Sequence, residues 1–123
     1  MRPGDHERIP TVSEVVRDAA AITDPDGGEV AVTALVESFE DDDRPTTASE
    51  DLAGELLETA RAIDPEGDDP AAMATAAAAA WLATNPTQSE HGEHVLRESA
   101  RLVFDGEPPQ PVALWLAARG VEV

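Results

Sequence analysis

The residues best suited to chemistry in this 123-residue chain are His91, His94 and Glu98. On a helix they fall at positions i, i+3 and i+7, so their side chains could project from one face. Imidazole and carboxylate groups at that spacing can hold zinc or iron if a second segment adds a ligand. However, the pattern is neither His-Glu-x-x-His nor Glu-x-x-His, and Gly92 weakens the rigid geometry that a metal site needs. A solvated, polar helix start explains the residues more simply, and a metal-binding protein stays an alternative.

Other catalytic arrangements are missing from the sequence. Cysteine, lysine and tyrosine do not occur, which excludes thiolate nucleophiles, thiolate metal ligands and covalent lysine chemistry. Neither a Gly-x-Ser-x-Gly motif nor a glycine-rich phosphate loop is present. The turn that starts at Asp24 fails as a calcium loop, because Glu29 stands where glycine is needed and Leu35 where glutamate is needed. We therefore expect a protein that is not an enzyme and that binds no cofactor.

Charge dominates the composition. The chain has 26 acidic residues against 8 basic ones, all arginine, for a net charge of −18. Such a protein repels phosphate backbones, so we expect no direct binding to nucleic acid. The acidity can adapt the surface to high salt, form a docking surface for a basic protein, or imitate DNA in the groove of a nucleic-acid-binding protein. The acids are spread along the whole chain, which favours the first explanation.

A short motif recurs three times and predicts the fold. Proline and threonine precede a glutamate in residues 10–14, 45–50 and 86–90, with a threonine three residues before the glutamate, as in a capping box. The pairs are Thr11 with Glu14, Thr47 with Glu50, and Thr87 with Glu90. A helix is expected after each pair, then an acidic turn, then a second helix at roughly 29–40, 70–84 and 110–119.

The pattern therefore predicts an all-α protein with six helices, arranged as three helical hairpins of about 40 residues. The hairpins would span approximately 11–44, 45–85 and 86–120, in a short α-solenoid-like stack or a compact helical bundle. Asp26 and Asp69 are expected to cap second helices, with Pro70 at a first helical position and Gly120 after the last helix.

The second helices are expected to lie inside, because residues 71–83 carry no charge on any side. The first helices have one apolar stripe and should lie outside. Residues 1–10 are predicted to be a flexible arm before a single domain at 11–123, and residues 41–44 a solvated link. The sequence shows no signal peptide and no membrane span, so the cytoplasm is the expected location.

Trp81 and Trp115 hold equivalent places in two of the hairpins. Tryptophan often anchors binding interfaces, although at repeated positions it more often belongs to the core. The interpretation that follows is a non-enzymatic, acidic helical module for protein–protein interaction, an adaptor or regulatory subunit. Its expected partner is another protein, and a basic protein is the candidate that the charge suggests. The alternative is an acidic DNA-mimic inhibitor. The candidate partner-binding residues are Trp81, Trp115, Asp41, Asp42, Asp43, Asp68 and Asp69.

Overall fold

The all-α fold class is confirmed. A computed structural model describes residues 9–65 and 70–121, and these residues form six α-helices and no β-strand, only an isolated bridge between Thr11 and Pro45. Two 3₁₀ turns, Thr46–Ala48 and Pro86–Gln88, precede the third and fifth helices. The helices are α1 (Val12–Thr23), α2 (Val30–Phe39), α3 (Leu52–Ile63), α4 (Pro70–Thr84), α5 (Gly92–Val103) and α6 (Gln110–Ala118).

The helix α4 lies at the centre of the fold. It carries no charged residue, most of its side chains are buried, and each of the other five helices packs against it. Its many alanines are small, so neighbouring helices can approach it closely. Although α4 is apolar, it has only 15 residues, and within the described segments no helix has the length and apolar character of a membrane span.

The arrangement is a compact bundle around α4 rather than an open stack. The consecutive helices α1 and α2 pack on each other, as do α3 and α4, whereas α5 and α6 each pack more on α4 than on one another. The threefold repetition of equivalent hairpins therefore stays a prediction. Burial of the second helices holds for α4, but α2 leaves Val30 exposed and α6 leaves Leu114 exposed.

Only the first of the three predicted capping pairs caps a helix. At the start of α1, Thr11 Oγ1 accepts the N–H of Glu14 at 3.2 Å. The second and third pairs are wrong, because their segments form the 3₁₀ turns and the helices begin later. The residue that caps α3 is Asp51, whose Oδ1 accepts the N–H of Gly54 at 3.0 Å, and aspartate is among the strongest N-caps. His91 precedes α5 and makes no side-chain cap.

The starts of the second helices follow the sequence in part. Asp24, not Asp26, accepts the backbone N–H groups of residues 28–29 before α2, at 3.0 and 2.9 Å. The predicted cap at Asp69 lies outside the described residues. Pro70 opens α4 as predicted, since its fixed φ suits the first helical turn and its missing N–H costs nothing there.

The link at residues 41–44 is more ordered than the sequence suggests. The carbonyl of Arg44 accepts the N–H of Val12 at 2.9 Å, and the carbonyl of Asp42 accepts the N–H of Ser13 at 3.1 Å. The start of a helix leaves four N–H groups without intrahelical partners, and the link satisfies two of them at α1. The link is solvated as predicted, since Asp41, Asp43 and Arg44 are exposed, and in addition its backbone supports α1.

Asp42 is expected to stabilise the fold in a pH-dependent way. The Arg44 guanidinium donates to both Asp42 carboxylate oxygens, at 2.9 and 2.7 Å, and these bonds hold the pKa of Asp42 below its ordinary value. Since the folded-state pKa is the lower one, the stabilisation is complete above the unfolded-state pKa and is lost as pH falls through the folded-state pKa. Asp42→Asn should lower the free energy of unfolding by about 0.5 kcal/mol at pH 7, a small value because the pair is partly exposed.

Urea unfolding of the wild type and of Asp42→Asn, repeated at falling pH, measures this difference. The two free energies should converge as the pH falls below the ordinary pKa of aspartate, about 3.9, and through the lower folded-state pKa of Asp42. Asp41→Asn is the control, because Asp41 is exposed and its replacement should cost nothing at pH 7. A loss for Asp42→Asn that is the same at every pH would contradict the expected titration.

The end of α6 follows the sequence. Gly120 has a φ of 77°, a backbone conformation that favours glycine. Its N–H donates to the Ala117 carbonyl at 3.0 Å, and the N–H of Val121 donates to the Leu116 carbonyl at 3.0 Å. This is a Schellman cap, and its usual apolar contact is present because Val121 is buried in the same cluster as Leu116.

Candidate docking surface

The structure does not bring the three candidate metal ligands together into one cluster. His91 lies before α5 in a non-helical conformation, so it does not share a helical face with the other two residues. The His94 ring meets the Trp81 ring edge-on, with 5.7 Å between centroids, and Glu98 accepts a hydrogen bond from Arg101 at 3.2 Å. Across residues 9–65 and 70–121, no three histidine, aspartate or glutamate side chains come together in a way that could hold a metal ion.

The two tryptophans are engaged within the fold. Trp81 is 8% exposed and belongs to the larger apolar cluster, so it offers little surface to a partner. Trp115 is half-buried, and the Arg119 guanidinium lies 3.8 Å from its ring centroid, a cation–π contact. Arg119 also donates to the Thr23 carbonyl at 3.2 Å, which ties the end of α6 to the end of α1.

The candidate aspartates fall into three groups. Asp41 and Asp43 are exposed and therefore accessible to a partner. Asp42 is half-buried and its carboxylate is held by Arg44, so it contributes to the fold. Asp68 and Asp69 lie outside the described residues.

An open groove lies between α3 and α5, across the end of α4, and has a volume of about 620 Å³. We name it the α3–α5 groove. The half-buried side chains of Leu57, Ala80 and Ala83 form its apolar lining. On the α5 side it is bordered by Leu102, which is 63% exposed, and by Val103. An exposed leucine beside an apolar groove is the kind of surface that a partner protein can cover.

The charged side chains around the α3–α5 groove are acidic. The charged residues that line it are Glu50 and Asp51, both exposed acids. Two helices end there with negative partial charge, α4 at Thr84 and α5 at Val103. The helix α3 begins there with positive partial charge, which the Asp51 cap offsets. The groove therefore favours cationic groups at its border and apolar groups along its lining.

One end of the α3–α5 groove contains a buried hydroxyl without a partner. Thr46 lines the groove, and its Oγ1 is buried and makes no hydrogen bond. We expect Thr46→Val to raise the free energy of unfolding by about 1 kcal/mol, because the substitution removes an unsatisfied polar atom and keeps the shape. Chemical unfolding of the two proteins measures the change.

Thr75→Val is the matched control for that substitution. The Thr75 hydroxyl lies against the Thr23 hydroxyl and donates to the Ala71 carbonyl at 2.7 Å, in a buried site where each hydroxyl has a partner. Its loss should lower the free energy of unfolding by about 1 kcal/mol. If both substitutions changed the free energy of unfolding in the same direction, hydrogen bonding would not explain the contribution of these threonine hydroxyls to stability.

Leu102 could not be identified as a surface residue from the sequence. It lies at the margin of the apolar stripe of α5, whose buried members are Val95, Leu96, Ser99 and Ala100. A leucine at that margin is compatible with core or surface, and only the position of α3 relative to α5 decides. No protein-family model, curated protein or solved structure matches the chain.

Proposed function

We propose that this protein is a non-enzymatic interaction module, an adaptor or regulatory subunit that binds a basic protein in the cytoplasm. The observation that carries the proposal is the α3–α5 groove, an apolar surface with acidic borders in a chain of net charge −18. Apolar area that is partly open to water favours association, and the acidic surroundings select partners of opposite charge and speed their encounter.

The shortage of basic residues supports this proposal, because 8 arginines cannot neutralise 26 acidic residues. Several of the described arginines already lie against groups of this chain. Their partners are Asp42 and Glu55 for Arg44, Glu93 for Arg97, Glu98 for Arg101, and the Trp115 ring for Arg119. A basic partner would offset the remaining repulsion.

The lining of the groove favours docking over catalysis. Acid–base chemistry needs a carboxyl group whose pKa is shifted by burial or by a specific neighbour. The carboxylates of Glu50 and Asp51 stand at the exposed border, and Asp51 already caps α3. The remaining lining is alanine, leucine, valine, glycine and small hydroxyl residues, which suits the binding of an apolar surface.

The first test separates a binding role of the charge from adaptation to salt. Helical circular dichroism and thermal unfolding are measured in about 0.1 M and about 2 M KCl, where the screening of charge differs several-fold. The proposal expects a folded protein at the lower concentration. A protein that folds only at molar salt would show that its acidity serves the solvent, and the proposal would lose its electrostatic support.

The second test is affinity capture from an extract of the source cells at low salt. We expect one basic protein to be retained in a saturable complex that weakens as salt is added. Competition with duplex DNA for the purified partner distinguishes the alternative, because a DNA mimic would be displaced and a docking module would not. A protein that stays monomeric and free of partners in the extract would contradict the proposal.

A further inference from the structure

We infer that the α3–α5 groove binds one α-helix of the partner, an amphipathic helix with arginine or lysine beside its apolar stripe. The inference rests on the proposed function and assigns its binding surface and the chemistry of the partner segment. In the complex, the apolar stripe of the incoming helix covers Leu57, Ala80 and Ala83 and packs against Leu102. The cations beside the stripe lie near Glu50 and Asp51, which border the groove.

Of the common conformations in which a peptide binds to a protein, an α-helix fits the lining of the groove best. Addition of a β-strand needs a sheet edge, and the described residues form no strand. A polyproline segment needs a groove lined with aromatic rings, and a phosphorylated segment needs an arginine cluster. The lining of this groove contains neither an aromatic residue nor an arginine. An amphipathic helix needs an apolar groove, and α3, α4 and α5 form such a groove.

The alanines of α4 give the incoming helix room to approach. Ala80 and Ala83 are three residues apart near the end of α4 and line the groove between α3 and α5. Side chains three residues apart lie on the same face of a helix, and short side chains allow a small distance between helix axes. Leu57 and Leu102, which have larger side chains, lie on either side of these alanines. The groove therefore has the form of a vacant position for one more helix in the bundle.

Charge decides what kind of helix fills that gap. Glu50 and Asp51 border it, the negative ends of α4 and α5 lie beside it, and Asp51 offsets the positive end of α3. A second copy of this chain would bring another net charge of −18 to the interface, and like charges placed together oppose association. A basic segment gains from the same field, so the occupant is a cationic helix from a different protein.

We expect Leu102 to contribute more to the binding affinity than any other single side chain of the groove. It is 63% exposed in the free protein, so its burial in the complex removes apolar surface that the fold leaves in water. Leu114 on α6 offers a matched control, because it is 62% exposed and does not line the groove. Substitution of either leucine by glutamine leaves the net charge unchanged.

The experiment uses two fluorescent peptides of about 14 residues, long enough for roughly four helical turns. Both contain the same leucines, arginines and alanines. In the first peptide the leucines recur at positions i, i+4, i+7 and i+11, and in the second they are scattered around the helix. Fluorescence anisotropy gives the affinity of each peptide for the full-length wild type, Leu102→Gln, Leu114→Gln and Glu50→Gln. Circular dichroism verifies that each variant is folded.

We expect the striped peptide to bind the wild type at least about tenfold more tightly than the scattered one. Leu102→Gln should weaken its binding about tenfold, which corresponds to roughly 1.4 kcal/mol, and Leu114→Gln should leave it unchanged. Glu50→Gln should weaken binding a few-fold at low salt, and the difference should shrink as salt screens the charge.

Three results would overturn the inference: equal affinity for the two peptides, equal affinity of the wild type and Leu102→Gln, or no binding of the striped peptide. The same variants in the affinity capture distinguish this failure from that of the proposed function. If Leu102→Gln retains the basic partner as the wild type does, the interaction module stands and its site lies elsewhere. If the wild type retains no partner, the proposed function falls as well.

Discussion

Ala76→Glu is expected to remove a large part of this protein's free energy of unfolding at 25 °C. Ala76 is completely buried in the larger apolar cluster, in the middle of α4. A carboxylate at that position loses its hydration and has no cation beside it, which costs at least about 4 kcal/mol. A domain of this size has a free energy of unfolding of only about 5–15 kcal/mol. The loss of helical circular dichroism, or a thermal midpoint lowered by more than about 15 °C, measures the effect.

The control for this prediction is Ala62→Glu. Ala62 is exposed on α3, so the variant has the same changed net charge and the same pair of residue types within a helix. Its free energy of unfolding should stay within about 0.5 kcal/mol of the wild type. If the two variants were equally stable, α4 would not be the buried centre of the bundle, and the packing of the other five helices against it would be wrong.

The helices were easier to predict from the sequence than their packing. Residues 71–83 have no charge on any side, and Pro70 marks a helix start, so the bounds of α4 followed directly from residue types. The end of α6 was predictable for the same reason, because Gly120 suits the left-handed conformation that terminates a helix. At both places, the conformational preference of one residue agrees with that of its neighbours in sequence.

Local preference failed where two residues competed for the same role. The threonine motifs before α3 and α5 have the spacing of a capping box, but Asp51 stands closer to the apolar stripe of α3 and caps it instead. The acidic run at residues 41–44 is mostly exposed, as its composition predicts, but its backbone carbonyls also satisfy the start of α1. That contact joins residues about thirty positions apart, so no local pattern could indicate it.

The candidate site was beyond prediction for a related reason. The α3–α5 groove exists because two helices that are not neighbours in sequence flank the end of α4 without closing over it. Leu102 is a marginal member of an amphipathic pattern, and nothing local distinguishes it from a core leucine. The tryptophans were the more prominent candidates in the sequence, yet the fold uses Trp81 in its core and covers Trp115 with Arg119.

Leu35→Ala is expected to lower the free energy of unfolding by about 3 kcal/mol, in the range for buried leucines. Leu35 lies in α2, is completely buried and belongs to the larger apolar cluster, so its truncation leaves a cavity where α2 meets the rest of the bundle. Urea unfolding measures the loss, with Leu114→Ala as the control, since Leu114 is 62% exposed and its truncation should cost under about 0.5 kcal/mol. Similar losses for the two leucines would contradict the burial of α2.

Because Leu35 does not line the α3–α5 groove, the folded fraction of Leu35→Ala should keep the wild-type affinity for the striped peptide. The effects of a substitution on stability and on binding can therefore be separated.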